Sequence, residues 1–366
     1  MLLNRSIVSV STEGLRERGI PPSEWWQYLP DYLTMPRAVS CGPIRRLWFG
    51  LCHFLLSLLV WVFLRPRVSK VGQLDQGEVN DVYNLEAATY DRKHHLTTRG
   101  QDLFFRRAAA WFVTTFLRRH ADQEPIKVLD LCTGTGLTVE AIVEIARQWK
   151  CSMEVVGLDF CRAMLDRAQK RFSMLSRDTG VAVRAAWGDA TNLVDDRQPT
   201  EEGMTQFNEA SFDAITQMCG VGGIPNPRDQ FDGVLRILKP GGSFFMSDIH
   251  HPIVDFPGEW PFLLKWLRFP TFEVYAYERI TLPLVLQRLW GWHDPTAAFY
   301  ELPLVTYHDG DKWWGFEVDF FEVESQRWWF ALPIMPTGKI IVRKVEIDEE
   351  TAHKRQVILE SARFIY

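Results

Sequence analysis

None of the six cysteines, at positions 41, 52, 132, 151, 161 and 219, stands in a CxxC pair. That absence removes a disulfide framework and a zinc knuckle from the candidate folds, and it makes a reducing compartment the default for the folded part. Charge of one sign is also missing: 41 Lys and Arg against 46 Asp and Glu leave a net charge of -5. A chain so balanced has no general attraction to nucleic acid, and no nucleic-acid partner is expected. No internal repeat is visible, which sets aside the solenoids. Disorder is excluded as well. Hydrophobic residues make up 46% of the 366 positions and charged ones 24%, enough apolar surface for one large domain or two smaller ones. The sharpest absence is local: residues 47–64, LWFGLCHFLLSLLVWVFL, carry no charge at all.

These eighteen residues would span about 27 Å as a helix, close to the ~30 Å hydrocarbon thickness of a bilayer. Trp48 and Trp61 lie near the two ends, with Arg45 and Arg46 before the run and Arg65 and Arg67 after it. Interfacial tryptophans and flanking arginines mark a membrane-inserted helix. Gly50, His53 and Ser57 interrupt the apolar surface, so a core helix or one lying in the interface are the alternatives. A cleaved leader is not expected, because the run starts far from Met1 and no small-residue cleavage site follows it. Basic residues on both sides leave the orientation open.

Residues 1–46 read as an irregular arm, 65–80 as a polar connector, and 78–252 as the core, where strands and helices alternate. The strand candidates are KVLDLC, EVVGLDF, VAVRAAWGDA, FDAITQM and SFFMSDIH. LTVEAIVEIARQW, RAMLDRAQKRFSML and, upstream, GQDLFFRRAAAWFVTTFLRR have helical spacing. Such alternation predicts an α/β fold with a Rossmann-like, doubly wound parallel sheet. After His251 the alternation stops. The C-terminal extension, 253–366, begins with a Pro-, Trp- and Leu-rich insert and ends in WWGFEVDFFEVESQRWWFALPI and KIIVRKVEI, which predict an antiparallel edge hairpin. Fifteen tryptophans, many at the ends of the early run or in this last third, fit either an aromatic core or an interface with lipid.

VLDLCTGTG ends the first strand and opens a helix. A glycine turn there lets a ligand approach the backbone, and the helix N-terminus offers free N–H groups to an anion. Alone it fits many nucleotide folds. Asp159 ends the next strand, 29 residues after Asp130, where a carboxylate can accept both hydroxyls of a ribose. Asp189 ends the third strand within reach of an adenine amino group, and LKPGGSFFMSDIHHP supplies a Gly-Gly turn before the fifth.

YDRKHHLTTRG, VLDLCTGTG, LDFCRAMLDRAQKR, GDATNL, FDAIT and ILKPGGSFFMSDIHHP, in this order between Tyr90 and Pro252, resemble the class I S-adenosylmethionine-dependent methyltransferases. Within that class they look most like the ubiquinone and menaquinone C-methyltransferases. The resemblance implies S-adenosylmethionine as cofactor, with Asp130, Cys132, Gly134 and Gly136 around the methionine portion, Asp159 on the ribose, Phe160 against the adenine, and Asp189 with Ala190 at the adenine edge. Cys132 stands where many such enzymes have glycine, and it reads as a small buried hydrophobe.

Ligands of open α/β sheets sit beyond the carboxyl ends of the strands. His250 and His251 follow the fifth strand there and are the candidate general bases, since histidine titrates near neutral pH. Met218, Cys219 and Gly220 follow the fourth strand, and Tyr90, Asp91, His94 and His95 lie in the segment resembling a substrate-side lid. No metal site is expected. The expected activity is methyl transfer to a hydrophobic or lipid-borne acceptor, namely a quinone, sterol, phospholipid or aromatic metabolite. The enzyme is expected on the membrane, with its S-adenosylmethionine domain on the cytosolic face. The alternatives are a soluble small-molecule methyltransferase and an S-adenosylmethionine-binding regulator without transfer.

Overall fold

The computed structural model describes residues 75–98, 106–113, 125–150, 152–175, 181–194, 202–250, 292–293, 295–324, 328–329, 332–333 and 337–361, with five single residues of the early apolar run. The arm 1–46, most of the run 47–64, most of the insert after residue 252, and His251 lie outside them.

Five parallel strands carry the alternating half of the chain: β1 (Ile126–Leu131), β2 (Met153–Asp159), β3 (Val181–Trp187), β4 (Phe212–Met218) and β5 (Leu238–Ile249). Between them run α3 (Leu137–Trp149), α4 (Arg162–Leu175) and α5 (Pro227–Ile237). They follow α1 (Gln76–Glu86), α2 (Tyr90–Thr98) and a helical segment at 106–113. Beyond β5 come β6 (Thr306–His308), β7 (Trp313–Glu324), the two-residue strands β8 (Trp328–Trp329) and β9 (Leu332–Pro333), β10 (Thr337–Ile347) and α6 (Glu349–Ser361). The main sheet has eight strands in the order β3-β2-β1-β4-β5-β10-β7-β6. The order reverses between β1 and β4, so a crevice opens at their carboxyl ends.

The sheet is covered on both faces because its strands are apolar on both. Val128, Val155, Ala214 and Phe245 pack against α3, α4 and the segment 106–113. Their neighbours Leu129, Val156, Ile215 and Phe244 pack on the opposite face against α5 and the turns at 298–305. Near-continuous apolar runs, rather than alternation, are what a doubly covered parallel sheet requires.

The expected C-terminal hairpin is present as the antiparallel pair β7 and β10, but it is not simply an edge. β10 lies inside the sheet, pairing β5 through Ile340↔Met246 and β7 through Ile340↔Phe321, and β6 takes the edge. Ile340 and Val342 are fully buried, a burial that only an interior strand provides. The polar connector expected over 65–80 gives way to α1 from Gln76 onward, capped by Asp75, whose Oδ1 accepts from the N–H groups of Gly77 (2.8 Å) and Glu78 (3.3 Å).

Among the described residues no helix is long and apolar enough to cross a membrane. Leu51, Leu55, Leu58, Leu59 and Val62, the described residues of the apolar run, are helical and 45–54% exposed.

Candidate active site

A cavity of about 860 Å³, including its open mouth, lies at the carboxyl ends of β1 to β4. Its floor is the turn after β1. Asp130 sits beneath that turn, 1% exposed, and it does not line the cavity. One carboxylate oxygen accepts from Thr133 Oγ1 and the other from Thr216 Oγ1 on β4, both at 2.7 Å. Burial lifts its pKa to about 6, opposed by those two hydroxyls. Asp130 therefore shapes the turn and ties β1 to β4.

Cys132 lies in the left-handed region (φ 53°), as does Gly136 (φ 85°). A Cβ on Gly136 would stand 2.6 Å from Phe172 Cε1, so this glycine admits α4 against the turn and does not face the cavity. A Cβ on Gly220 would stand 2.6 Å from Cys132 Cβ, so the turn after β4 can press on the turn after β1 only as glycine. Cys132 lines the cavity beside it and takes a weak bond from Gln217 Nε2 at 3.5 Å. Burial raises its thiol pKa well above the ordinary range, which fits an inert wall residue.

Asp159 and Gly134 meet directly. Asp159 Oδ2 accepts from the Gly134 N–H at 2.7 Å, and Oδ1 from the Cys161 N–H at 2.8 Å. Each oxygen retains acceptor capacity toward the cavity. Withdrawal from bulk water raises the Asp159 pKa to about 6 against the lowering effect of these N–H groups. Phe160 follows on the wall, its carbonyl held by Trp187 Nε1 at 2.9 Å, with the Arg162 guanidinium 3.5 Å above the Trp187 ring. Gly188 and Ala190 complete this side. Asp189 points elsewhere: its Oδ1 accepts from the N–H and hydroxyl of Thr191, both at 2.8 Å, and so fixes the turn that presents Ala190.

The opposite wall comes from α1, α2 and the turn after β4. Val79, Asn80 and Tyr83 of α1, Tyr90 of α2, Met218, Cys219, Gly220 and Ile224 line it. Trp292 Nε1 donates to Tyr83 Oη at 2.6 Å, and Cys161 Sγ to Asn84 Oδ1 at 3.2 Å. Asp91 does not enter the cavity. It accepts from Thr135 Oγ1 (2.5 Å) and Arg171 Nη2 (2.7 Å), while Arg171 also pairs with Glu140 and donates to the Thr135 carbonyl (3.0 Å). One guanidinium thus clamps the lid helix α2, the glycine turn and α3 together. The His94 ring packs 5.3 Å from that of Tyr90, and neither His94 nor His95 lines the cavity.

His250 needs correcting as a candidate base. Its ring is fully buried among Phe299, Tyr300 and Phe321 at centroid distances of 5.1–5.9 Å, it contacts Tyr300 Oη at 3.3 Å, and it does not line the cavity. The fifth strand runs past the crevice at this point, and the side chain turns into the aromatic core beneath β7 and β10.

Arg106, Asn80 and Tyr83 are site residues that sequence reasoning did not single out. Arg106 donates to Thr138 Oγ1 at 3.2 Å, in the first turn of α3. That helix starts at Gly136 with no side-chain cap. Among the described residues lining the cavity, Arg106 is the sole cation and Asp159 the sole anion. S-adenosylmethionine fits this pairing: a carboxylate for Arg106, a ribose diol for Asp159, and an adenine for the wall at Phe160 and Ala190.

Residues 71–257, just over half of the chain, match the model of the ubiE/COQ5 methyltransferase family. A demethylmenaquinone methyltransferase of Clavibacter sepedonicus is 29% identical over 178 residues, covering 49% of this chain and 60% of that protein. One from Lactobacillus johnsonii is 26% identical over 186 residues, covering 51% of this chain and 66% of that protein. The chain thus spans less than two thirds of the length of these curated relatives. A solved phosphoethanolamine N-methyltransferase 1 of Haemonchus contortus, in complex with phosphoethanolamine and S-adenosylhomocysteine, is 16% identical with a TM-score of 0.43, covering 80% of this chain and 55% of that one.

Proposed function

Because this chain belongs to the ubiE/COQ5 methyltransferase family, the class I enzymes whose methyl donor is S-adenosylmethionine, we propose that it methylates a ring carbon of a membrane-borne hydroquinone. The observation that carries this reading is the cavity at the β1–β4 carboxyl ends, with Asp159 and Arg106 as its two opposite charges. The named relatives act on demethylmenaquinone, which supports a quinone-type acceptor.

When bound, S-adenosylmethionine supplies an electrophilic methyl group on its sulfonium. The chain's own residues orient and shield. Asp159 would accept the ribose hydroxyls, and Arg106 would take the carboxylate. Tyr83, Tyr90, Met218, Cys219 and Ile224 form a largely apolar wall on the acceptor side that excludes water. Methylation of a ring carbon leaves a proton to remove. With His250 in the aromatic core, we assign that role to His251, which follows it in the chain.

Membrane association and a cytosolic catalytic face are part of the proposal. Leu51, Leu55, Leu58, Leu59 and Val62, the described residues of the run without charge, are about half exposed. A bilayer is the apolar phase that would cover them, and it is where a prenylated acceptor resides. The test is product mass after incubation with methyl-labelled S-adenosylmethionine and either a total lipid extract or a short-chain demethylated naphthoquinol. Label in an aromatic C-methyl group supports the reading. Label only in phospholipid head groups, or none at all, would replace it.

A further inference from the structure

The helix α1 lines the cavity through Gln76, Val79, Asn80 and Tyr83. At one end Val79 Cγ1 lies 3.8 Å from where a Cβ on Gly223 would stand, beside the turn after β4. At the other end Asn84 is held by Cys161, beside the turn after β2. Asn80 sits one turn before Asn84, next to Val79, on the half of α1 that faces the turn after β4. Its side chain lines the cavity.

The polar groups around it are already engaged. Tyr83 Oη accepts from Trp292, and both Asp159 oxygens accept backbone N–H groups. Asn80 Oδ1 is shielded from solvent and has no hydrogen-bond partner, the only buried side-chain oxygen without one among the described cavity residues. Buried amide oxygens are nearly always paired, so an orphan on a residue that lines a ligand cavity points to a donor that arrives with the ligand. Asp159 and Arg106 are assigned to the ribose and the carboxylate, and Asn80 lies on the opposite wall with Tyr83, Tyr90 and Met218, the side assigned to the acceptor. An amide oxygen takes an O–H, and the apolar wall around it suits an aromatic ring.

We infer that Asn80 recognises a ring hydroxyl of the acceptor, and so selects hydroxyarenes over their ethers and over plain hydrocarbons of the same shape. This rests on the reading of the cavity as a joint donor and acceptor site. Asn80 acts as a specificity-determining residue, and the methyl donor does not depend on it.

The experiment uses the full chain saturated with S-adenosylhomocysteine and titrated anaerobically with 1,4-dihydroxynaphthalene or 1,4-dimethoxynaphthalene. Asn80→Leu keeps the volume and removes the amide. The variant should bind S-adenosylhomocysteine within about twofold of the wild type, and unfold at the same temperature or higher, because an unpaired buried polar group has gone. Its affinity for the diol should fall about three- to tenfold, the range of one neutral hydrogen bond, while the weaker affinity for the dimethyl ether stays unchanged. Equal binding of the diol by both proteins would overturn the inference, and so would a wild type that does not distinguish diol from ether. A variant that loses S-adenosylhomocysteine affinity but keeps the diol would reassign the amide to the donor's ammonium. A wild type that binds no S-adenosylhomocysteine would remove the underlying reading of the cavity, and this inference with it.

Discussion

Asp159 carries the donor site with two oxygens that already hold Gly134 and Cys161. Replacing it with alanine removes a charged acceptor from the ribose, worth about 1.5–3 kcal/mol. The expected result is a ten- to hundredfold loss of S-adenosylhomocysteine affinity by calorimetry with the fold retained; unchanged affinity would withdraw the ribose assignment. The pH dependence follows in sign. Ribose hydroxyls favour the ionised carboxylate, and the free site titrates near 6, so affinity should be full above that pH. It should fall by at most tenfold per unit as the pH drops below 6, and Asp159→Asn should flatten the profile. Asp130 also titrates near 6 but lies under the turn, so a profile that persists in Asp159→Asn would implicate it instead. Arg106→Gln should weaken S-adenosylhomocysteine several-fold or more yet leave 5′-methylthioadenosine, which lacks the carboxylate, unaffected. Equal losses for both ligands would contradict the carboxylate role.

The elements were largely legible in the chain, and the side chains less so. LTVEAIVEIARQW and RAMLDRAQKRFSML coincide with α3 and α4, because apolar residues at helical spacing had one sheet face to cover. Asp159 was readable because a strand end fixes where a side chain must emerge. Asp130 and Asp189 were placed correctly along the chain, but their partners decide their roles. Thr216, which occupies Asp130, is 86 residues away. α1 was hidden inside a polar connector because only Val79, Val82 and Glu86 of its residues are buried. The start signal Asp75-x-x-Glu78 could have revealed it. Arg106 was masked by the apolar residues around it. At this scale Arg171 is the testable part, since it joins α2 to the glycine turn and to α3. Arg171→Met should speed amide hydrogen exchange in residues 76–98 and raise the S-adenosylhomocysteine dissociation rate several-fold. Exchange at wild-type rates would show that α1 and α2 do not depend on Arg171 and are held by other contacts, among them Tyr83–Trp292, Asn84–Cys161 and Lys93–Glu86.

For the whole molecule the question is what covers the apolar run 47–64. In the full chain, replacing Leu55, Leu58 and Leu59 by lysine should abolish flotation with lipid vesicles and lower turnover on vesicle-embedded quinol. S-adenosylhomocysteine affinity should stay the same, because none of the three lines the cavity. A wild-type chain that remains in the aqueous fraction without detergent would end the membrane proposal.

The interior position of β10 has a consequence for synthesis on the ribosome. Residues 47–64 are made early, whereas β5 lacks its partner on one side until residues 337–347 have left the exit tunnel. Between the emergence of β5 and that of β10 the nascent chain therefore exposes an apolar segment and an open sheet edge at once. On the proposed membrane reading, the segment would reach a lipid surface before the sheet is complete, and docking would precede folding.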